Sequence, residues 1–229
     1  NYFSFSLSTV QCKQNINQLP MYDLMVYVGG VGKKEVRDGV TKTFSTKDQT
    51  KDSCLELFGE DAAFVILSPN HSFFGVADGV GGYNNYDIDP SIFSYTLMKF
   101  CMLETRKIID DKLYPDCKTI INNSYQNLIK LTDAAYGGST ITLTYFNHND
   151  GQFNISNLGD SKVMVIKSSE QQIFATRQQQ HYFNCPYQLA NMPPNTSRGC
   201  GGDMPSDAQH FSLKLNLGDI ILIGTDGFF

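Results

Sequence analysis

Val76-Ala77-Asp78-Gly79-Val80-Gly81-Gly82 is the stretch from which the rest of the chain is read. It continues an apolar run, Ser72-Phe73-Phe74-Gly75, and then places a carboxylate among glycines. A strand that ends on Asp and opens into a glycine-rich turn presents a charge at a sheet edge, where backbone can approach a ligand closely. The arrangement recurs in Asn157-Leu158-Gly159-Asp160-Ser161 and in Gly224-Thr225-Asp226-Gly227, each after an apolar strand pattern. Glu60-Asp61 opens the strand before the first of these.

Working outward, Ala62–Leu67 and Ser72–Ala77 read as a hairpin across Ser68-Pro69-Asn70-His71. Their nearly continuous apolar runs predict central strands covered on both faces. Asp89-Pro90 is a helix start, and the helical pattern runs to about Lys112, with a second helix over roughly 116–131. From 139 the period changes to two. Ile141, Leu143 and Tyr145 pair with Phe153, Ile155 and Leu158 across His148-Asn149-Asp150-Gly151, and Lys162–Lys167 pairs with Gln172–Thr176. Phe211, Leu213 and Leu215 alternate before a buried strand, Ile220–Ile223. Residues 33–53 are expected to be a surface loop. Residues 177–209 are expected to be a long irregular segment, functional or mobile. Hairpins before and after a helical pair predict an α+β fold with antiparallel sheets. Residues 1–22 are expected to be an irregular lead-in to a single domain over 23–229. Tyr22 to Val31 holds a strand followed by Gly29-Gly30-Val31-Gly32-Lys33-Lys34, which fails as a P-loop because Lys34 stands where Ser or Thr must be.

The chain has 229 residues, is 41% hydrophobic and 18% charged, and carries a net charge of −5. That composition supports a packed core. It offers no basic footprint for nucleic acid or an anionic membrane, and no apolar window is long enough for a membrane span. The six cysteines form no CxxC pair, which suggests reduced thiols in an intracellular protein. The chain starts without Met and ends on Phe228-Phe229 directly after a strand and turn, so both ends are expected to be internal to a longer protein.

Asp before Gly is also ordinary turn chemistry, so each acid alone is a weak signal. Their joint meaning depends on whether they meet. Two carboxylates about 4 Å apart repel by about 4 kcal/mol at an effective dielectric near 20. Several together take up protons or hold a cation. All-oxygen donors suit Mg²⁺ or Mn²⁺ rather than zinc, and a pair of such ions suits phosphoryl transfer. Hairpin pairing alone brings Asp61 beside Asp78. Spacing does not bring Asp160 and Asp226 to them.

Taken in order, Glu60-Asp61, Asp78-Gly79-Val80-Gly81-Gly82, Gly138-Ser139-Thr140, Asn157-Leu158-Gly159-Asp160-Ser161 and Thr225-Asp226-Gly227 resemble the motifs of metal-dependent, type 2C (PPM) protein serine/threonine phosphatases. The form Asp-Gly-Val-Gly-Gly, Asp89-Pro90-Ser91 and Gln178-Gln179-Gln180-His181-Tyr182-Phe183-Asn184 resemble the branch with mitochondrial and plastid members. The resemblance implies an α-β-β-α sandwich of two antiparallel sheets flanked by helices, lacking the final helix and strand. It implies two Mn²⁺ or Mg²⁺ ions held by Asp61, Asp78 and Asp226 with the Gly79 carbonyl, supported by Glu60. Asp160 matches a weaker third position. Water activated between the ions would hydrolyse phosphoserine or phosphothreonine in a phosphoprotein substrate.

The chain departs from that pattern in three ways. Val80 stands where many members carry a His that protonates the leaving group. Ser53–Phe58 lacks the Arg that holds substrate phosphate. The family's last metal-binding Asp would follow Phe229. These departures motivate a competing reading, a catalytically inactive pseudophosphatase acting as an interaction module. The resemblance further implies an intracellular monomer, mitochondrial or otherwise cytoplasmic.

Overall fold

The computed structural model describes residues 2–13, 21–31, 42–45, 53–110, 116–131, 135–169, 172–193 and 202–229. In chain order the strands are β1 (Tyr2–Lys13), β2 (Met21–Val31), β3 (Lys42–Ser45), β4 (Ser53–Phe58), β5 (Asp61–Leu67) and β6 (His71–Asp78). Helices α1 (Pro90–Asp110) and α2 (Cys117–Ile129) follow. Then come β7 (Gly137–Ser139), β8 (Ile141–Asn147), β9 (Gln152–Leu158), β10 (Lys162–Lys167), β11 (Gln172–Ala175), β12 (Gln180–Tyr182), β13 (Cys185–Pro186), β14 (Leu189–Asn191), β15 (Gln209–Lys214) and β16 (Ile220–Gly224). Two sheets of six strands result, one in the order β11-β10-β16-β1-β2-β3 and the other in the order β15-β9-β8-β6-β5-β4. All their pairings are antiparallel. This is the α+β architecture the alternating patterns predict.

The continuous apolar runs of β5 and β6 have a simple cause. Ala63, Val65, Leu67, Phe74 and Val76 point into the core shared by the two sheets, together with Val26, Val163 and Ile223. Ala62, Phe64, Ile66, Phe73 and Ala77 point the other way, into a second core with Phe93, Leu97, Met98 and Ile120 of the helices. Strands buried on both faces need apolar residues at every position. Gly75 leaves room for the Phe64 ring and lies about 3.0 Å, measured from an ideal Cβ, from the Met98 sulfur.

Both helix starts follow the sequence signals. Asp89 Oδ1 accepts the N–H of Ser91 ahead of Pro90, and Asp116 accepts the N–H groups of Lys118 and Thr119. Among the described residues, the helices cover the β4-to-β15 sheet only. Ile92 and Leu103, on the predicted apolar face of α1, are exposed.

Three expectations require correction. Within 1–22, Tyr2–Lys13 is a strand and not an irregular lead-in: β1 lies between β16 and β2, with Phe5 opposite both Ile223 and Val28, while 14–20 lie outside the described residues. Phe3, Phe5 and Leu7 alternate with Ser4, Ser6 and Ser8, a period of two that marks a strand. Within 33–53, Lys42–Ser45 is a strand paired to β2, while 32–41 and 46–52 lie outside the described residues. The 177–209 segment contains β12, β13 and β14, and β14 pairs with β7. Its 194–201 part is outside the described residues.

Candidate metal centre

Asp61 opens β5 and Asp78 closes β6, and the ladder sets them directly opposite each other. Asp226 arrives from the other sheet, on the turn after β16, and Asp160 lies on the turn between β9 and β10. The link across the sandwich is a hydrogen bond in which Thr225 Oγ1 donates to Asp61 Oδ2 at 3.2 Å.

Burial and neighbouring charge act on these acids together. Burial pushes the Asp61 carboxyl up to about 6; hydrogen bonding with Asp78 and Thr225 opposes the rise, and the Asp226 charge adds to it. Asp78 is raised well above the ordinary carboxylate range, first by burial and then by the charges of Asp61 and Asp226. Asp160 is raised by burial, against the hydrogen bond from Gln180, with Asp226 again adding. Asp61 Oδ1 is buried and receives no hydrogen bond from a protein donor. With both carboxyls ionised, Asp61 and Asp78 can only repel, so the cluster must bind protons or a cation.

Backbone braces aim Asp78. Its N–H donates to Thr140 Oγ1 at 3.1 Å, and its carbonyl accepts from Thr140 N at 3.0 Å and Ser139 Oγ at 2.8 Å. Thr140 Oγ1 also pairs with Ser161 Oγ at 2.8 Å, which ties the Asp78 strand to the Asp160 turn. Val80 N donates to Gly138 O, and Gly79 N donates to Glu60 O. Gly79 is required by packing: an added Cβ would fall against the Glu60 carbonyl and 2.7 Å from the Pro90 carbonyl.

Glu60 takes a different position from the other acids. Its Oε1 accepts from Asn84 Nδ2 at 2.9 Å and its carbonyl from Ser94 Oγ at 2.6 Å, so it braces the turn and the start of α1. An ideal Cβ at Gly81 would lie 3.2 Å from Glu60 Oε2.

Asp78, Asp160 and Asp226 line a pocket of about 460 Å³, together with Gly79, Val80 and Thr140. The remaining wall comes from the 3-10 helix Gly81–Tyr86 and from the segment Asn184 to Met192. No Lys, Arg or His is among the described residues of that wall. Among the described residues, no three His, Cys, Asp or Glu side chains stand as a ready-made coordination sphere. The crowded carboxylates and the unpartnered Asp61 oxygen nonetheless fit a hard divalent cation such as Mg²⁺ or Mn²⁺.

The supporting roles of Thr140, Ser161 and Thr225 escape a reading that looks for acids, although each sits inside or beside a motif. Gln180, whose Nε2 donates to Asp160 Oδ2 at 3.1 Å, lies in a stretch that the sequence marks only as a branch feature, and Asn84 carries no local signal at all. His181 turns away from the acids, pairs with Asp203 at 3.0 Å and stacks on Tyr187.

The model of the protein phosphatase 2C family matches residues 36–185, more than half of the chain. The chain belongs to the protein phosphatase 2C family. Within this family it is similar to the protein phosphatase PTC7 homolog of Xenopus laevis, 35% identical over 91% of this chain and 65% of that protein. The human PTC7 homolog is also 35% identical, over 91% of this chain and 64% of that one. The chain thus spans slightly under two thirds of these relatives' own length. In structure it resembles the photosystem II phosphatase PBCP, with a TM-score of 0.62 and 29% identity over 77% of this chain and 66% of the other. RsbX in complex with magnesium shares the fold, with a TM-score of 0.55 and 14% identity over 95% of this chain and 78% of that one. The phosphatase 2C sandwich therefore holds for this chain, and the two six-stranded sheets are its central layers.

Proposed function

We propose that this protein is a metal-dependent protein serine/threonine phosphatase. The observation that supports the reading is one pocket lined by Asp78, Asp160 and Asp226, with Asp61 opposite Asp78 in the β5–β6 ladder, in a phosphatase 2C sandwich. Asp61, Asp78 and Asp226 would hold two Mn²⁺ or Mg²⁺ ions with the Gly79 carbonyl, Glu60 would support them, and Asp160 would offer a weaker third position. When bound, such ions supply a hydroxide nucleophile at neutral pH and offset charge on phosphoryl oxygens.

The chain's own residues do the rest. Thr225 keeps Asp61 oriented, and Ser139 and Thr140 keep Asp78 oriented. The open pocket admits a phosphorylated side chain. Val80 cannot donate a proton, so solvent in the pocket protonates the departing Ser or Thr oxygen. The substrate is a phosphoprotein and the enzyme acts as a monomer. Cys101 and Cys117 are buried free thiols, which supports an intracellular setting, mitochondrial by family resemblance.

The test is hydrolysis of a phosphoserine peptide by the full-length protein in Mn²⁺. EDTA should abolish turnover, and Asp78→Asn should lower it by more than about 100-fold, since even groups behind the ligands are worth about 10–100-fold. A protein that binds no Mn²⁺ by calorimetry and turns over nothing would instead be the inactive interaction module that Val80 allows.

A further inference from the structure

The pocket has a second character at its mouth. Strands β12 and β13 form a hairpin, with Tyr182 opposite Cys185 across the turn Phe183-Asn184. Asn184 adopts φ 58°, a left-handed conformation that Asn tolerates better than most residues. Asn184, Cys185 and Pro186 form part of the pocket wall, and Phe183, beside them, is 95% exposed. Tyr182 is 62% exposed, and Tyr86, which lines the wall from the 3-10 helix, is 53% exposed. Exposed aromatic residues in a pocket wall and on the hairpin turn beside it offer surface for binding.

This hairpin is tied to the acid cluster. Gln180 donates to Asp160, Gln179 N donates to Gly159 O at 2.9 Å, and Tyr187 N donates to Gln179 O at 3.0 Å. The aromatic tip therefore stands at a set position relative to Asp160 and the Gly159 turn. The described wall carries the acids Asp78, Asp160 and Asp226, whose charges repel acidic side chains flanking a phosphoresidue. The wall is mixed in character, and its aromatic surface comes from Tyr83 and Tyr86.

We infer that the pocket selects phosphopeptides carrying a large apolar side chain next to the phosphorylated residue, and that Phe183 and Tyr86 read that side chain. The inference rests on the phosphatase reading above and names the substrate class of the same site. Phe183 and Tyr86 are specificity-determining residues, and neither touches the reacting atoms.

The experiment compares kcat/KM of the full-length protein in Mn²⁺ on phosphoserine peptides that differ only in the flanking residues: Leu, Ala or Asp. Leu-flanked peptide should be preferred over Ala-flanked peptide by about tenfold, the scale of an apolar contact in an enzyme pocket, and Asp-flanked peptide should be poorest. Phe183→Ser should collapse the Leu-over-Ala ratio towards one, and Tyr86→Ser should reduce it. The ratio is internal to each variant, so a loss of folded protein does not mimic the effect. Para-nitrophenyl phosphate, too small to reach the rim, is assayed with the unsubstituted protein to report on the phosphatase reading alone. Hydrolysis of that ester with no peptide preference, or a preference that survives both substitutions, overturns this inference and leaves the phosphatase reading standing. No hydrolysis of any substrate overturns both.

Discussion

At the scale of single residues, the candidate site turns on one carboxylate, Asp61, buried away from water. Asp61 is fully buried and is supported on one oxygen by Thr225, while its other oxygen has no protein donor. Thr225 is therefore a positioning residue. Thr225→Val keeps the shape and removes the donor, and it should weaken Mn²⁺ binding by about 10–100-fold, as measured by calorimetry. Thr225→Ser, which restores the hydroxyl, should recover most of that affinity. Equal affinities in the Val and Ser variants would remove the hydroxyl from the account.

At the scale of elements, the β5–β6 hairpin and the turn after it carry the site. The hairpin register was legible in the sequence, because Ala62–Leu67 and Ser72–Ala77 flank a turn of fixed chemistry, and that register alone brings Asp61 opposite Asp78. Gly79 then passes between the carbonyls of Glu60 and Pro90. Gly79→Ala meets backbone on both sides, where no flexible side chain can yield, so it should cost about 1–3 kcal/mol in urea unfolding. It should also lower Mn²⁺ affinity by displacing Asp78. An unchanged unfolding midpoint would show that the turn can shift at no cost. The edge of β12 and β13 was not legible, since strands this short have no periodicity to read and depend on their anchors at Gly159 and Asp160.

At the scale of the whole molecule, the acid cluster trades stability for binding. The Asp61 carboxyl has a folded-state value of about 6 against an ordinary value of 3.8. A group raised on folding contributes stability that is present below its unfolded value and is lost as pH rises through its folded value. The metal-free protein should therefore lose about 3 kcal/mol between about pH 4 and pH 6 through Asp61 alone, at 1.36 kcal/mol per unit. Asp78, also raised, acts in the same direction. Two measurements follow in EDTA. Asp61→Asn should melt above the unsubstituted protein at pH 7, with the difference vanishing below about pH 4. Mn²⁺ should raise the melting temperature of the unsubstituted protein at pH 7 and have much less effect on the variant. An Asp61→Asn protein that melts lower at pH 7 would show that the carboxylate is not strained in the metal-free state.

The chain's own pattern determined the antiparallel α+β class, the helix start at Asp89-Pro90, the second helix over roughly 116–131, and the adjacency of Asp61 and Asp78. All of these follow from local periodicity, capping chemistry and one hairpin. The alternation that makes Tyr2–Lys13 a strand is also written in the sequence, but its place between β16 and β2 is not. Only the tertiary structure decided that Asp226 and Asp160 reach the Val76–Gly82 stretch. Their approach depends on two sheets packing face to face, and on Thr225 bonding across that packing to a residue 164 positions away in sequence. No short-range pattern encodes such a contact, because it is set by how the shared core of Val65, Phe74, Val163 and Ile223 closes.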